Sequence, residues 1–281
     1  MQIIHKLSDM ESLIRKIKES GESIGFVPTM GALHEGHLSL IQAARKENSW
    51  VICSIFVNPK QFNETADFSN YPKTPEKDAA MLNNENTDVL FMPDQSEIYH
   101  SSQNIAHLEL GAIGNTMEGK SRPGHFAGVV AIVDILFQLI QPNKAYFGKK
   151  DYQQLRIVKL LAEKLHPNIQ VIGVDTSREN NGLARSSRNL LLSEAARNKA
   201  AVIYQSLHQA KKLWEDGQEK QTIEAVVHKL IHEQGLSLIY FEIADALTLQ
   251  SLNKKGGKES AVGFIAAKIE GVRLIDNLEF N

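Results

Sequence analysis

The chain reads as an α/β protein, with a Rossmann-like parallel-sheet domain over residues 1–176 and a smaller C-terminal α+β domain over 177–281. Three observations predict this. Apolar, β-rich runs alternate with segments of helical spacing as far as Val174, the pattern of a parallel sheet with helices on both faces. Trp50-Val-Ile-Cys-Ser-Ile-Phe-Val57 is almost continuously apolar, as a strand covered on both sides must be. From Ser177 the order changes to long amphipathic helices, then strands joined by short turns.

Met10, Leu13, Ile14 and Ile17 lie at helical spacing, so Asp9 to Lys18 is a helix with Ser8 or Asp9 as cap. Ile24 to Pro28 is a strand, followed by a tight loop and a helix to about Lys46 that begins near His37. The strand Trp50 to Val57 breaks at Asn58-Pro59-Lys60-Gln61-Phe62. A helix spans about Pro75 to Asn86, and Asp88 to Met92 is a short strand. Asp94 to Asn115 carries little pattern, and the glycines, proline and charges of Glu118 to Phe126 mark a mobile loop. The helix after it places Val129, Ile132, Val133, Leu136, Phe137 and Ile140 on one face. Ala145 to Gly148 is a short strand and turn, Lys149 to Gln154 opens a helix, and Ile169 to Val174 is a further strand. Beyond the polar stretch Arg178 to Asn189, helices span about Ser193 to Glu215 and Gln221 to Glu233. Strands follow at Ser237 to Ile243, Ala261 to Ile269 and Val272 to Ile275.

With 42% hydrophobic and 23% charged residues the composition is that of an ordered globular protein. A net charge of −2 argues against a general electrostatic grip on nucleic acid or on an anionic membrane. The single cysteine, Cys53, lies in an apolar run and is expected to pack in the core. No signal-peptide pattern and no membrane-spanning apolar stretch are visible, so a soluble cytoplasmic protein is expected.

The candidate chemistry lies in the loops: His34/His37, Asn58/Gln61, Arg122/His125, Lys150/Asp151/Gln154 and Ser186/Ser187/Arg188. In a parallel sheet, ligands bind beyond the strand C-termini, where the loops after Val27 and Val57 would lie. A helix start offers unpaired N–H groups and the positive end of a dipole to a phosphate, and Gly31 and Gly36 let backbone approach a ligand. Glycines serving a turn beside surface histidines would be the bland alternative. Together the loops carry cations and neutral donors, which suits a polyphosphate and a polar small molecule. No Gly-x-Gly-x-x-Gly dinucleotide fingerprint follows a strand. His-x-Gly-His lacks the spacing of a zinc-protease site. Adenylyl transfer, in which the protein mainly neutralises a departing pyrophosphate, remains.

Pro28-Thr-Met-Gly-Ala-Leu-His-Glu-Gly-His37, Phe56-Val-Asn-Pro-Lys-Gln-Phe62, Glu118-Gly-Lys-Ser-Arg-Pro-Gly-His-Phe126, Phe147-Gly-Lys-Lys-Asp-Tyr-Gln-Gln154 and Gly182-Leu-Ala-Arg-Ser-Ser-Arg-Asn189 occur in this order. They make the chain resemble the pantothenate synthetase (pantoate–β-alanine ligase) family of the nucleotidylyltransferase superfamily. His-x-Gly-His alone is shared across that superfamily; the ordered set is specific. The C-terminal third matches only in pattern.

The resemblance implies ATP-dependent condensation of (R)-pantoate with β-alanine to pantothenate through a pantoyl adenylate, releasing pyrophosphate and AMP, in pantothenate and coenzyme A biosynthesis. By matching positions it implies catalytic roles for His37, His34, Lys150 and Arg188. ATP would be held by Met30, Gly31, Ala32, Leu33, His34, Glu35, Gly36 and His37, by Gly148, Lys149, Lys150 and Asp151, and by Ser177, Arg185, Ser186, Ser187 and Arg188. Gln61 and Gln154 would bind pantoate and β-alanine, with Pro28, Asn58 and Val129 shaping the pocket. Mg²⁺ would be bound through the ATP phosphates with no metal site of the protein's own. The resemblance further implies a cytoplasmic homodimer whose C-terminal domain closes over the active site.

The family commonly has Pro and Val where this chain has Asp175 and Ser177, Asp where Asn181 stands, and an apolar residue where Arg185 stands. An altered ATP Michaelis constant is the expected consequence. Another adenylyl- or cytidylyltransferase would keep His-x-Gly-His without needing Gln61 and Gln154. A non-catalytic nucleotide-binding relative would be expected to have lost the phosphate cations, and His34, His37, Lys150 and Arg188 are all present.

Overall fold

A computed structural model describes residues 1–62, 68–100, 108–256 and 260–280, with His100 described by its backbone alone. Contacts divide the chain into two compact units. The first comprises Met1–Leu110, Arg122–Lys149 and Gln154–Asp175; the second comprises Gly111–Ser121, Lys150–Gln153 and Thr176–Asn281.

The first unit is built on a six-stranded sheet of β1 (Gln2–Ile4), β2 (Ile24–Thr29), β3 (Trp50–Ile55), β4 (Val89–Phe91), β5 (Lys144–Gly148) and β6 (Gln170–Val174), in the order β1-β4-β3-β2-β5-β6. Every neighbouring pair is parallel. Strand β2 pairs with β3 from Ile24↔Trp50 to Thr29↔Ile55 and with β5 through Gly25↔Lys144 and Phe26↔Ala145. Strand order thus reverses at β2, and the crevice beyond the C-terminal ends of β2 and β5 is where such a sheet receives ligands. The strands are apolar because both faces are covered: Ile24, Phe26, Val27, Val51, Ile52 and Cys53 are fully buried. Burial pushes the Cys53 thiol up to about 12, so it is a packing group and not a reactive one.

Helices Leu7–Glu19, Glu35–Glu47, Pro75–Asn84 and His125–Ile140 belong to this unit, as does the helix Tyr152–Leu165 from Gln154 onward; a 3₁₀ turn at Lys149–Asp151 precedes that helix. The helix Glu35–Glu47 lies close enough to β2 that a Cβ on Gly25 would stand 2.6 Å from Asn48 Nδ2. That amide donates to the Ala44 carbonyl and to the Tyr146 hydroxyl, both at 2.8 Å, and Tyr146 donates to Glu47 at 2.8 Å.

In the second unit, β7 (Ser237–Asp245), β8 (Ala261–Ile269) and β9 (Val272–Phe280) form an antiparallel sheet in chain order. The helices Val202–Glu215 and Lys220–Glu233 share one core with it, including Ile203, Leu207, Trp214, Ile223, Val227, Phe241 and Ile265.

Several elements differ from the sequence reading. The strand expected to reach Val57 ends at Ile55. Strand β1 was not anticipated; its three residues are too few to show a period. The helix expected from Ser193 to Glu215 is two, Glu194–Lys199 and Val202–Glu215, although Ala200 and Ala201 keep right-handed dihedrals. Ile203 N–H reaches back three residues to the Ala200 carbonyl at 3.1 Å, so the interruption is a tightening to 3₁₀ geometry. The last strand runs on to Phe280. Short helices occupy Gln95–His100 and Gly111–Asn115 in the stretch that carried little pattern. Glu118 to Phe126 is not one loop: Met117–Ser121 is helical, and His125 opens the next helix. Among the described residues no helix is long and apolar enough to cross a membrane.

Gly25→Ala is expected to cost about 1–3 kcal/mol, because the added methyl must displace the Asn48 amide that ties helix to strand. Thermal unfolding measures it; an unchanged midpoint would show that Asn48 moves without loss.

Candidate active site

Strand β2 ends at Thr29, and Thr29 Oγ1 holds the turn beyond it, donating to the Ser54 carbonyl at 2.9 Å and accepting from Gly31 N–H at 3.2 Å. Gly31 (φ 80°) and Ala32 (φ 48°) are both left-handed, a conformation that an alanine adopts only when its surroundings over-determine it. Asp78 supplies that determination. Its buried carboxylate accepts Ala32 N–H at 2.9 Å on one oxygen and Leu33 N–H at 2.8 Å on the other, with Thr74 Oγ1 donating to the latter at 3.0 Å.

This turn delivers His34 to the N-cap of the helix Glu35–Glu47. His34 Nδ1 accepts Gly36 N–H at 3.1 Å, and His37 Nδ1 accepts His34 N–H at 3.3 Å, a reciprocal capping box made by two imidazoles. Their ring centroids are 4.1 Å apart. Because both Nδ1 atoms act as acceptors, each neutral ring carries its proton on Nε2. The helix start therefore presents two ring donors together with its dipole, an arrangement made for phosphate oxygens. Met30 and Pro28 are half-buried just before it, and Glu35 is exposed.

Beyond β3, Asn58 caps the 3₁₀ turn Pro59–Gln61, its Oδ1 accepting Lys60 N–H at 3.1 Å and Tyr99 O–H at 2.5 Å. Burial pushes the Tyr99 phenol up to about 12, against the pull of that hydrogen bond. Asn58 Nδ2 donates to the Gly128 carbonyl at 3.0 Å. A Cβ on Gly128 would lie 2.3 Å from the Lys60 carbonyl oxygen, so the first turn of helix His125–Ile140 touches this turn backbone to backbone. Gln61 is thereby buried, and Val129 beside Gly128 is buried too. Gln154 is half-buried in the first turn of helix Tyr152–Leu165, whereas its neighbour Gln153 is spent on structure, donating to the carbonyls of Ile113 and Thr116 at 2.7 and 2.9 Å.

Gly148 ends β5, beside β2, and Lys149 after it pairs with Asp175 at 2.7 Å. Asp175 is largely exposed, so this pair contributes little stability. In the second unit Lys150 lies 3.5 Å from Asp151, and its carbonyl accepts from Asn277 Nδ2 at 2.7 Å. The Ser177 carbonyl accepts Arg185 N–H at 3.0 Å, and Arg178 and Ala184 form an antiparallel bridge, which closes a small hairpin. Asn181 Oδ1 accepts Leu183 N–H at 3.1 Å, a turn contact that an aspartate makes equally well. Ser186 caps the 3₁₀ turn Ser187–Leu191 by accepting Arg188 N–H at 3.3 Å; Ser187 is buried and Arg188 half-buried.

Sequence reasoning missed the residues that hold these loops. Asp78 looks like any acid on a helix surface. Arg178 is fixed by Asp276 at 2.6 and 3.0 Å and lies 3.6 Å over the Tyr204 ring, so it anchors the hairpin. Glu179 is clamped by Arg197 through contacts of 2.8–3.0 Å and accepts from Asn189 at 3.1 Å. Burial alone would raise Glu179; the hydrogen bonds from Arg197 and Asn189 outweigh it and hold its carboxyl below the usual range. Glu118, expected in a loop, is buried and accepts from Tyr240 at 3.0 Å and from Arg273.

Compared with known proteins, residues 2–279 match the model of the family described as pantoate-beta-alanine ligase. The chain belongs to the pantoate–β-alanine ligase family. Among relatives, the pantothenate synthetase of Christiangramia forsetii is 43% identical over the full length of both chains. The crystal structure of pantothenate synthetase from Thermus thermophilus superposes with a TM-score of 0.91 at 38% identity, covering 100% of this chain and 99% of that one. That of the Francisella tularensis ligase, complexed with beta-gamma ATP and beta-alanine, does so with a TM-score of 0.83 at 37% identity, covering 99% and 97%. As a member of the family the protein is an enzyme, an ATP-dependent ligase that joins pantoate to β-alanine.

Asp78→Asn is expected to cost about 1–3 kcal/mol, since an amide keeps one acceptor and turns a donor towards the other N–H. The ATP Michaelis constant should rise with it; unchanged stability and unchanged ATP dependence would remove Asp78 from the site. For Glu179, whose folded pKa is depressed, the stabilisation is complete above its ordinary value of about 4.3 and is lost as pH falls through the folded value. The stability gap between the wild type and Glu179→Gln should therefore be full at neutral pH and shrink in that acid window. A gap that persists below it would assign the effect to packing.

Proposed function

We propose that the reaction runs through a pantoyl adenylate. A pantoate carboxylate oxygen attacks the α-phosphorus of ATP, and the bond to the bridging oxygen breaks to release pyrophosphate. The β-alanine amine then attacks the acyl carbonyl, loses a proton, and the C–O bond to AMP breaks, giving pantothenate. The observation that carries this reading is the pair of imidazoles capping the helix at Glu35, each with its proton on Nε2. His34 and His37 hold the polyphosphate, and His37 donates to the charge that grows on the leaving pyrophosphate. The nucleotide is bound by Met30 to His37, by Gly148 to Asp151, and by Ser177, Arg185, Ser186, Ser187 and Arg188, with Lys150 and Arg188 as phosphate cations. Gln61 and Gln154 bind the acid, beside Pro28, Asn58 and Val129.

Among the described residues no cluster of three histidines, cysteines or carboxylates offers a metal cage. The Asp78 carboxylate is filled by backbone donors and Asp151 stands beside Lys150. This donor set suits Mg²⁺ carried on the ATP phosphates, where the ion would offset charge on the phosphoryl oxygens. We further propose a cytoplasmic homodimer, for which the family resemblance is the support; light scattering on the purified protein tests its mass.

Incubation with ATP, Mg²⁺, pantoate and β-alanine should yield AMP only when both acids are present in the second step. AMP formation that needs pantoate but ignores β-alanine would reject the ligase reading, and no AMP at all would reject the enzyme. His37→Ala should lower kcat by about 10²–10³, the scale of one charge-stabilising donor. An unchanged rate removes His37 from the mechanism.

A further inference from the structure

We propose that Arg122 and His125 form a brace that sets the backbone of Gln61 and, through it, the aim of the acid-binding amide. The inference rests on the reading of Gln61 as a pantoate ligand. The Gln61 carbonyl accepts from two side chains at once, Arg122 Nη2 at 3.1 Å and His125 Nδ1 at 2.8 Å. Arg122 Nη1 stands 3.1 Å from His125 Nε2. A guanidinium has donors only, so Nε2 must be the acceptor of that contact and the ring proton must sit on Nδ1. The proton is then in the position from which it donates to the Gln61 carbonyl. Each contact fixes the next, and the tautomer is opposite to that of His34 and His37.

The rest of the turn is held as tightly. Gln61 N–H donates to the Asn58 carbonyl at 3.1 Å, Asn58 caps the turn, and Gly128 admits the Lys60 carbonyl against the helix start. Gln61 is buried, yet among the described residues nothing hydrogen-bonds its side-chain amide. Backbone anchoring on every side with an uncommitted amide is the arrangement of a binding group held ready for its ligand. His125 and Arg122 are therefore positioning residues that act through Gln61.

The test is steady-state kinetics with pantoate and ATP varied separately in His125→Ala, His125→Asn, His125→Gln and Gln61→Ala. An asparagine amide nitrogen occupies the place of Nδ1 and keeps the donor to Gln61; a glutamine amide falls at the place of Nε2 and loses it. The pantoate KM should rise about tenfold in His125→Ala and His125→Gln, which corresponds to about 1.4 kcal/mol for one lost buried hydrogen bond. His125→Asn should stay near the wild type, and the ATP KM should hold in all three. A pantoate KM that rises in Gln61→Ala but not in His125→Ala or His125→Gln overturns the brace and leaves the role of Gln61 standing. One that does not rise in Gln61→Ala overturns that role and the brace with it. Equal losses for pantoate and ATP, or an asparagine variant as impaired as the alanine one, would make His125 merely structural. Should His125→Ala fail to fold, the comparison of His125→Asn with His125→Gln decides alone.

Discussion

Backbone amides that leave a strand and have not yet entered a helix need an acceptor, and the turn after β2 depends on how that need is met. Asp78 takes the N–H groups of Ala32 and Leu33, one on each oxygen. Without water to share them, two amides on a buried carboxylate are strong contacts, and they offset the cost of a left-handed alanine next to a left-handed glycine. The alternative, a longer and looser turn, would set the helix start free of the strand. With the turn held, His34 arrives at the N-cap position, where it does two jobs. A serine there would satisfy the helix equally well but would present no second donor. An imidazole caps with Nδ1 and still carries a proton on the far nitrogen.

The same economy governs the turn after β3 by different means. There the backbone of Gln61 is fixed by side chains from the following helix, and the helix is fixed by the contact that Gly128 allows. Three kinds of constraint converge on one short turn: a cap from Asn58, a carbonyl clamp from Arg122 and His125, and a backbone approach that no residue with a Cβ permits. The loops of the second unit are anchored in ionic form. Arg178 is tied to Asp276, and Arg197 to Glu179. Ion pairs hold this polar hairpin, and the lowered Glu179 carboxyl makes the Arg197 clamp sensitive to acid in a way that the Asn58–Gly128 contact is not.

Much of the fold was legible because the sheet is parallel. Strands buried on both faces must be apolar throughout, so β2, β3 and β5 stand out as runs, and β8 does so for the same reason. Strand β1 is three residues long, and its identity depends on β4, more than eighty positions away. The site divides in the same manner. His34 and His37 are readable because a cap is a local event between residues two or three apart. Asp78 acts across 45 residues, Arg178 on Asp276 across 98, and Arg273 on Glu118 across 155. No local pattern records such pairings. Glu118 was misread for that reason: glycine, proline and charge around it describe an exposed loop, while Tyr240 and Arg273 determine its burial.

Three of the departures from the pattern that the resemblance implies, at Asp175, Ser177 and Asn181, fall where side chains matter least to local geometry. Ser177 contributes its carbonyl to Arg185 N–H, a bond that any residue at that position can make. Asn181 turns the chain with the same oxygen an aspartate would use. Asp175, in place of proline, gains a lysine partner but stands in solvent, so the pair fixes little. Proline there would restrict φ and remove a donor; aspartate restores both the freedom and the N–H. Its carboxylate holds the Lys149 ammonium at 2.7 Å. A lysine shared between an exposed carboxylate and a phosphate loses little by exchanging one for the other, since the exposed pair is weak and the phosphate carries more charge. On the proposed reading of Lys149 as a nucleotide contact, the substitution therefore shifts where Lys149 rests in the free enzyme more than it weakens what Lys149 can bind.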